Sequence, residues 1–239
     1  MTGSKRAFYA STGSRRDDLV AILHPPYTAW HLAYVAIGAA LAPELDGVRL
    51  AGTLAAFALG TGVFAHVLDE WNGRPLRTAL PDGALLAMAA VSALGVLVIS
   101  VLGAWLISPW VLGWAAVGTA LAAGYALERP WWMHHPAMFA AAWGGFPVLV
   151  GYWAQAEALG VPALMAVAAA TLLSAAQRAL STPARFVRRG TDDAEARFAT
   201  ERGPEHWDRE TLLESWERPL RLMALTTVLL GLALLARHW

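Results

Sequence analysis

From Gly83 to Leu127 the chain runs 45 residues without a charged side chain, and Leu50 to Ala65 is likewise uncharged. A chain with such blocks has few folds open to it. A helix needs about 20 apolar residues to cross a bilayer. Only helices and closed barrels cross with every backbone group hydrogen-bonded. The alternating strands of about 10 residues that a barrel requires are absent, so the barrel is excluded. With 57% hydrophobic and 15% charged residues, the composition is also too apolar for an ordinary soluble domain. The sequence predicts an all-α, polytopic membrane helix bundle.

Seven spans are predicted: Pro26 to Ala42, Val48 to Leu68, two within Gly83–Leu127 with a turn near Ser108-Pro109, Pro136 to Trp153, Gly160 to Ala176, and Leu220 to Ala236. With the N-terminus in the cytoplasm, this count puts sixteen of the eighteen Lys and Arg on the inner side and leaves Arg49 and Arg237 outside. That bias is what the positive-inside rule expects. Tryptophans sit near the span ends, Trp71, Trp131 and Trp132 inside and Trp105, Trp110, Trp153 and Trp239 outside, as interfacial anchors do.

Residues 1–24 are expected to form a polar cytoplasmic tail without the apolar stretch of a signal peptide. Residues 25–239 form one membrane domain. Within it, 178–219 is expected as a long cytoplasmic loop carrying an amphipathic helix near Pro204 to Trp216, an interfacial element or lid. A net charge of zero implies no attraction to nucleic acid. The absence of cysteine excludes disulfides and thiolate chemistry. The basic inner face points instead to membrane lipid or an anionic substrate as partner.

The second predicted span ends in His66-Val67-Leu68-Asp69-Glu70-Trp71-Asn72-Gly73-Arg74-Pro75-Leu76-Arg77. His66, Asp69 and Glu70, at i, i+3 and i+4, are expected on one helix face, where an imidazole and two carboxylates could hold a divalent cation. Oxygen ligands favour Mg²⁺ and imidazole a transition metal, so both stay open. Asp69, Glu70 and His66 are the candidate catalytic and metal residues. Arg74, Arg77, Arg129, Asn72 and His31 are candidate substrate-binding residues, guanidiniums being suited to bidentate phosphate contacts. His134 and His135 start the fifth span at the same depth. Plainer readings stand beside these: solvated charges at a helix end, positive-inside decoration, and headgroup-level anchors beside Trp131 and Trp132.

Pro25-Pro26-Tyr27-Thr28-Ala29-Trp30, the Gly38-to-Pro43 stretch, the polar end of span two with Arg74-Pro75-Leu76, and Tyr125-Ala126-Leu127-Glu128-Arg129 together resemble the UbiA superfamily of intramembrane prenyltransferases. The resemblance implies a UbiA-like bundle and transfer from an isoprenoid diphosphate at the cytoplasmic face of a bacterial or archaeal cell membrane. It also implies Mg²⁺ held by acidic motifs after the second and sixth helices. This chain departs from it: His66-x-x-Asp69-Glu70 replaces the first acidic motif. Gln177-Arg178-Ala179-Leu180-Ser181 replaces the second, with Asp192, Asp193 and Glu195 further on, and the spans number seven rather than nine. Two alternatives remain: a histidine-metal enzyme acting on lipid, with His31, His66, His134 and His135 as ligands together with Asp69 or Glu70, and a non-catalytic protein that retains the fold.

Overall fold

The computed structural model describes residues 15–191 and 193–238, the side chain of Arg15 excepted. Among the described residues the regular structure is helical apart from one hairpin. Helix α1 (Arg15–Leu23) leads directly into α2 (Pro25–Ala40), which opens on two prolines at its first positions, where their missing N–H groups cost nothing. Helix α3 (Gly47–Gly73) is capped by Asp46, whose carboxylate accepts from the amides of Val48 and Arg49, both at 2.8 Å. Then follow α4 (Asp82–Leu106), α5 (Trp110–Ala126), α6 (Pro136–Ala156) and α7 (Val161–Gly190). A two-stranded antiparallel hairpin, β1 (Ala196–Thr200) and β2 (Gly203–Trp207), precedes α8 (Arg209–His238).

Five of these helices, α3, α4, α6, α7 and α8, are long and apolar enough to cross a membrane, and α5 is a shorter apolar helix of the same kind. Helix α4 leaves Val91, Leu94, Val98 and Val101 exposed, and α8 leaves Leu222, Leu229 and Leu232 exposed. Apolar stripes of that extent belong against lipid tails. The molecule is therefore a helical bundle with the make-up of an integral membrane protein. Its interior is organised on α2, whose residues Ala33 to Ala40 are all buried. There α2 meets α6 at backbone contact: a Cβ at Gly38 would lie 2.1 Å from Val148 O, and one at Gly151 would lie 2.2 Å from Val35 O. Paired small residues of this kind let membrane helices pack without side chains between them.

Three expectations need correction. Part of the polar tail is structured: Arg15–Leu23 is helical, with Ile22 and Asp18 buried, while the expectation for residues 1–14 lies outside the described residues. The segment 178–219 is not one loop. Helix α7 continues to Gly190, well past the end of its apolar stretch, and α8 begins at Arg209. Arg178, Arg185, Arg188 and Arg189 end the apolar stretch, but a helix can continue past such charges because its backbone bonds are internal. Nor is Pro204 to Trp216 a separate amphipathic helix: Gly203–Trp207 is a strand, and the rest is the first part of α8. Asp208 decides that boundary, accepting from Thr211 N at 2.8 Å as the helix cap. Two further expected anchors or acids, Trp239 and Asp192, lie outside the described residues.

Candidate ligand cavity

Helices α3 and α6 each carry one π-helical turn, Gly60–Ala65 and Ala141–Gly145. A π turn inserts one extra residue and rotates everything after it relative to a regular helix, and such turns concentrate at functional sites. Here both turns face a cavity of about 660 Å³ bounded by α2, α3, α6, α7 and α8.

Its polar end is built from several elements. His66 follows directly on the first π turn, and its Nδ1 lies 3.2 Å from Gly62 O. One imidazole away, His24 sits between α1 and α2, the two ring centroids 4.9 Å apart. His31 lies deeper on α2, its Nδ1 2.7 Å from Tyr27 O. A carbonyl oxygen can only accept, so in the neutral rings of His31 and His66 the proton sits on Nδ1 and Nε2 is the bare acceptor. Asp69, one turn beyond His66, is half-buried on the same wall. Facing it across the cavity are Arg185 and Arg189, which lie within electrostatic reach of its carboxylate.

Other charges at this end are already committed. Arg188 is ion-paired to Glu217, tying α7 to α8. Arg221 is held by both oxygens of Glu214, at 2.6 and 2.7 Å. Arg178 donates to Tyr125 Oη and His134 O, both at 3.1 Å, and lies over the Phe139 ring. That clamp fixes the short 3₁₀ turn Trp131–His134 and stacks His134 on Tyr125, ring centroids 4.4 Å apart. Arg185 and Arg189 make no ion pair among the described residues, so two cations one helical turn apart stand open at the cavity mouth. Away from the mouth the walls turn apolar, with Trp30, Phe139, Ala224, Leu225 and Val228.

The candidate residues divide accordingly. His31, His66, Asp69 and His134 are brought together on the cavity wall. Glu70 is not: adjacent helix residues point about 100° apart, and its fully buried carboxylate accepts from Leu76 N at 2.9 Å, Thr78 N at 2.8 Å and Thr78 Oγ1 at 2.9 Å. The expected single face of His66, Asp69 and Glu70 is thereby corrected, and Glu70 anchors the loop after α3. Arg74 terminates α3 in a left-handed conformation, pairs with Asp82 and donates to Leu80 O at 2.6 Å. Asn72 donates to Ala126 O at 3.2 Å. Arg77 and Arg129 are exposed and off the cavity wall, and His135 caps α6 by accepting from Ala137 N at 3.3 Å. Arg185, Arg189, His24 and Tyr27 were not singled out by the sequence reading. The i, i+4 spacing of Arg185 and Arg189 was the available signal, but it shows only once α7 is known to continue as a helix.

Among the described residues, no three His, Asp or Glu side chains converge in the manner of a metal site. A second cavity of about 680 Å³, between α3, α4, α5 and α6, is almost wholly apolar and touches the first only through Thr61 and Trp143. Compared with protein-family models, curated proteins and solved structures, the chain matches none.

Proposed function

We propose that the protein binds an amphiphile with an anionic phosphate head, of the class of isoprenoid diphosphates, in the cavity under Arg185 and Arg189. In this reading it is a UbiA-like, seven-span transferase of the cell membrane. One observation carries it: two arginines that make no ion pair among the described residues open onto a cavity whose far walls are apolar. Guanidiniums at helical spacing suit the oxygens of a phosphate, and the apolar wall suits a hydrocarbon tail. The positive-inside bias supports a cytoplasmic mouth, and the reading counts α2 and α5 as two shorter spans beside the five long helices.

The residues do not fit the Mg²⁺ that the resemblance implies. Mg²⁺ prefers carboxylate and phosphate oxygens in octahedral array. Of the cavity's carboxylates, Glu217 is bound by Arg188, Glu128 stands 3.9 Å from His134, and Asp69 faces arginines. Charge on a departing diphosphate would here be met by Arg185 and Arg189 themselves, fixed donors at the mouth.

The test is equilibrium binding of farnesyl diphosphate to the detergent-purified protein. Loss of a charge-assisted contact costs about 1.5–3 kcal/mol, so Arg185→Ala or Arg189→Ala is expected to weaken binding roughly 10- to 100-fold. Arg77→Ala and Arg129→Ala, off the cavity wall, are expected to change it little. Equal binding by all four variants would overturn the proposal.

A further inference from the structure

Buried polar atoms almost always find a partner, and one that does not calls for an explanation. Trp143 Nε1 and His134 Nδ1 are buried without a hydrogen bond among the described residues, and both residues line this cavity, Trp143 bordering the apolar one as well. Trp143 is 7% exposed, so bulk water does not serve it. An indole N–H is a donor only, and leaving it unpaired in an apolar setting is unfavourable.

Beside Trp143 stands the complementary group. The His31 ring meets the Trp143 ring edge to face, centroids 5.4 Å apart and planes at 85°. With its Nδ1–H given to Tyr27 O, His31 presents Nε2 as an acceptor with no partner among the described residues. A donor without an acceptor and an acceptor without a donor among the described residues therefore belong to two rings in contact on the cavity wall. They sit on α2 and the α6 π turn, deeper in the bundle than His24 and the arginines.

We infer that this wall is a binding site for an uncharged hydroxyl group, which accepts from Trp143 Nε1 and donates to His31 Nε2. A hydroxyl is the smallest group that satisfies both at once. A carbonyl or ether oxygen satisfies only the indole, and an ammonium only the imidazole. The two polar groups are the minimum that a water molecule needs, whereas the aromatic surround of Tyr27, Trp30, Tyr125 and Phe139 is a surface that only the apolar body of an alcohol uses. The inference rests on the reading of this cavity as the ligand site, though not on the anion at its mouth.

The experiment compares three uncharged probes on the purified protein: farnesol, farnesyl methyl ether and the parent hydrocarbon. Each hydrogen bond is worth about 1 kcal/mol net, or roughly fivefold in affinity. Farnesol is expected to bind about fivefold tighter than the ether, and the ether about fivefold tighter than the hydrocarbon. Trp143→Phe keeps the ring and removes the donor, so it abolishes the second step. His31→Phe abolishes the first. The Trp143 indole resonance, assigned by its loss in Trp143→Phe, is expected to move on adding farnesol or ether and not hydrocarbon. Three probes of equal affinity in the unaltered protein, or preferences that survive both substitutions, would overturn the inference. The three probes carry no charge, so their ranking is read without the phosphate site, and failure of the hydroxyl site and failure of the phosphate site are told apart.

Discussion

Asp69 and Glu70 are neighbours in sequence with opposite tasks, and replacing each by its amide separates them. Glu70 is wholly buried, and its carboxylate takes three hydrogen bonds from Leu76 and Thr78. Glu70→Gln preserves size but turns an amide NH₂ towards donors, so at least one backbone N–H loses its acceptor. Bonds to a charged group are worth about 1.5–3 kcal/mol each, and a stranded buried donor costs about 1–3 kcal/mol. These contributions overlap, and the expected loss is about 2–4 kcal/mol. For a chain of this length that lowers the thermal unfolding midpoint by roughly 5–15 °C, read by tryptophan fluorescence in detergent. Hydrogen exchange at Leu76 and Thr78 should accelerate more than at α4. Asp69→Asn removes a half-buried charge facing solvent and arginines, and is expected to leave the midpoint nearly unchanged. An unaltered midpoint in Glu70→Gln, or an equal fall in Asp69→Asn, would refute this division.

Further outcomes follow from the same contacts. Gly38→Val drives a side chain into the Val148 carbonyl and is expected to cost about 3 kcal/mol or more. Gly52→Ala, with nothing within 4 Å of the new Cβ, is its silent control; size-exclusion profiles and unfolding midpoints report both. Asp18→Asn weakens the carboxylate that accepts from Ala79 N at 2.9 Å. It should loosen α1 and the same loop as Glu70→Gln, giving non-additive midpoints in the double variant. Glu195 is held below the usual carboxylate range by His206 first and then Arg197, and Asp208 by the Thr211 amide. A depressed folded-state pKa means stabilisation that is present above the ordinary acid range and lost as pH falls through the lowered value. Hairpin and α8-cap amides should therefore exchange faster on acidification below that range, and Glu195→Gln should remove the hairpin's part of the response.

Helix positions were legible because apolar run length is a strong signal. The turn near Ser108-Pro109 and the starts of α3, α4 and α6 fall within a residue or so of expectation. Helix ends were not legible: α7 runs on through Arg178 and Arg189, since charge stops a span without stopping a helix. The cavity was half legible. His31, His66 and Asp69 line one cavity, but a position near a span end says nothing of rotation. Glu70, one residue along, turns away, and Arg74 is spent on its own loop. No spacing rule reveals the two π turns, and they set the register that brings His66 and Trp143 to the cavity.

The most direct measurement is a structure of the protein with a non-hydrolysable farnesyl thiolodiphosphate. The account expects the phosphates against Arg185 and Arg189 and the chain along Leu225 and Val228. Ligand lodged only in the apolar cavity between α3 and α6, or phosphates on Arg77 or Arg129, would contradict it.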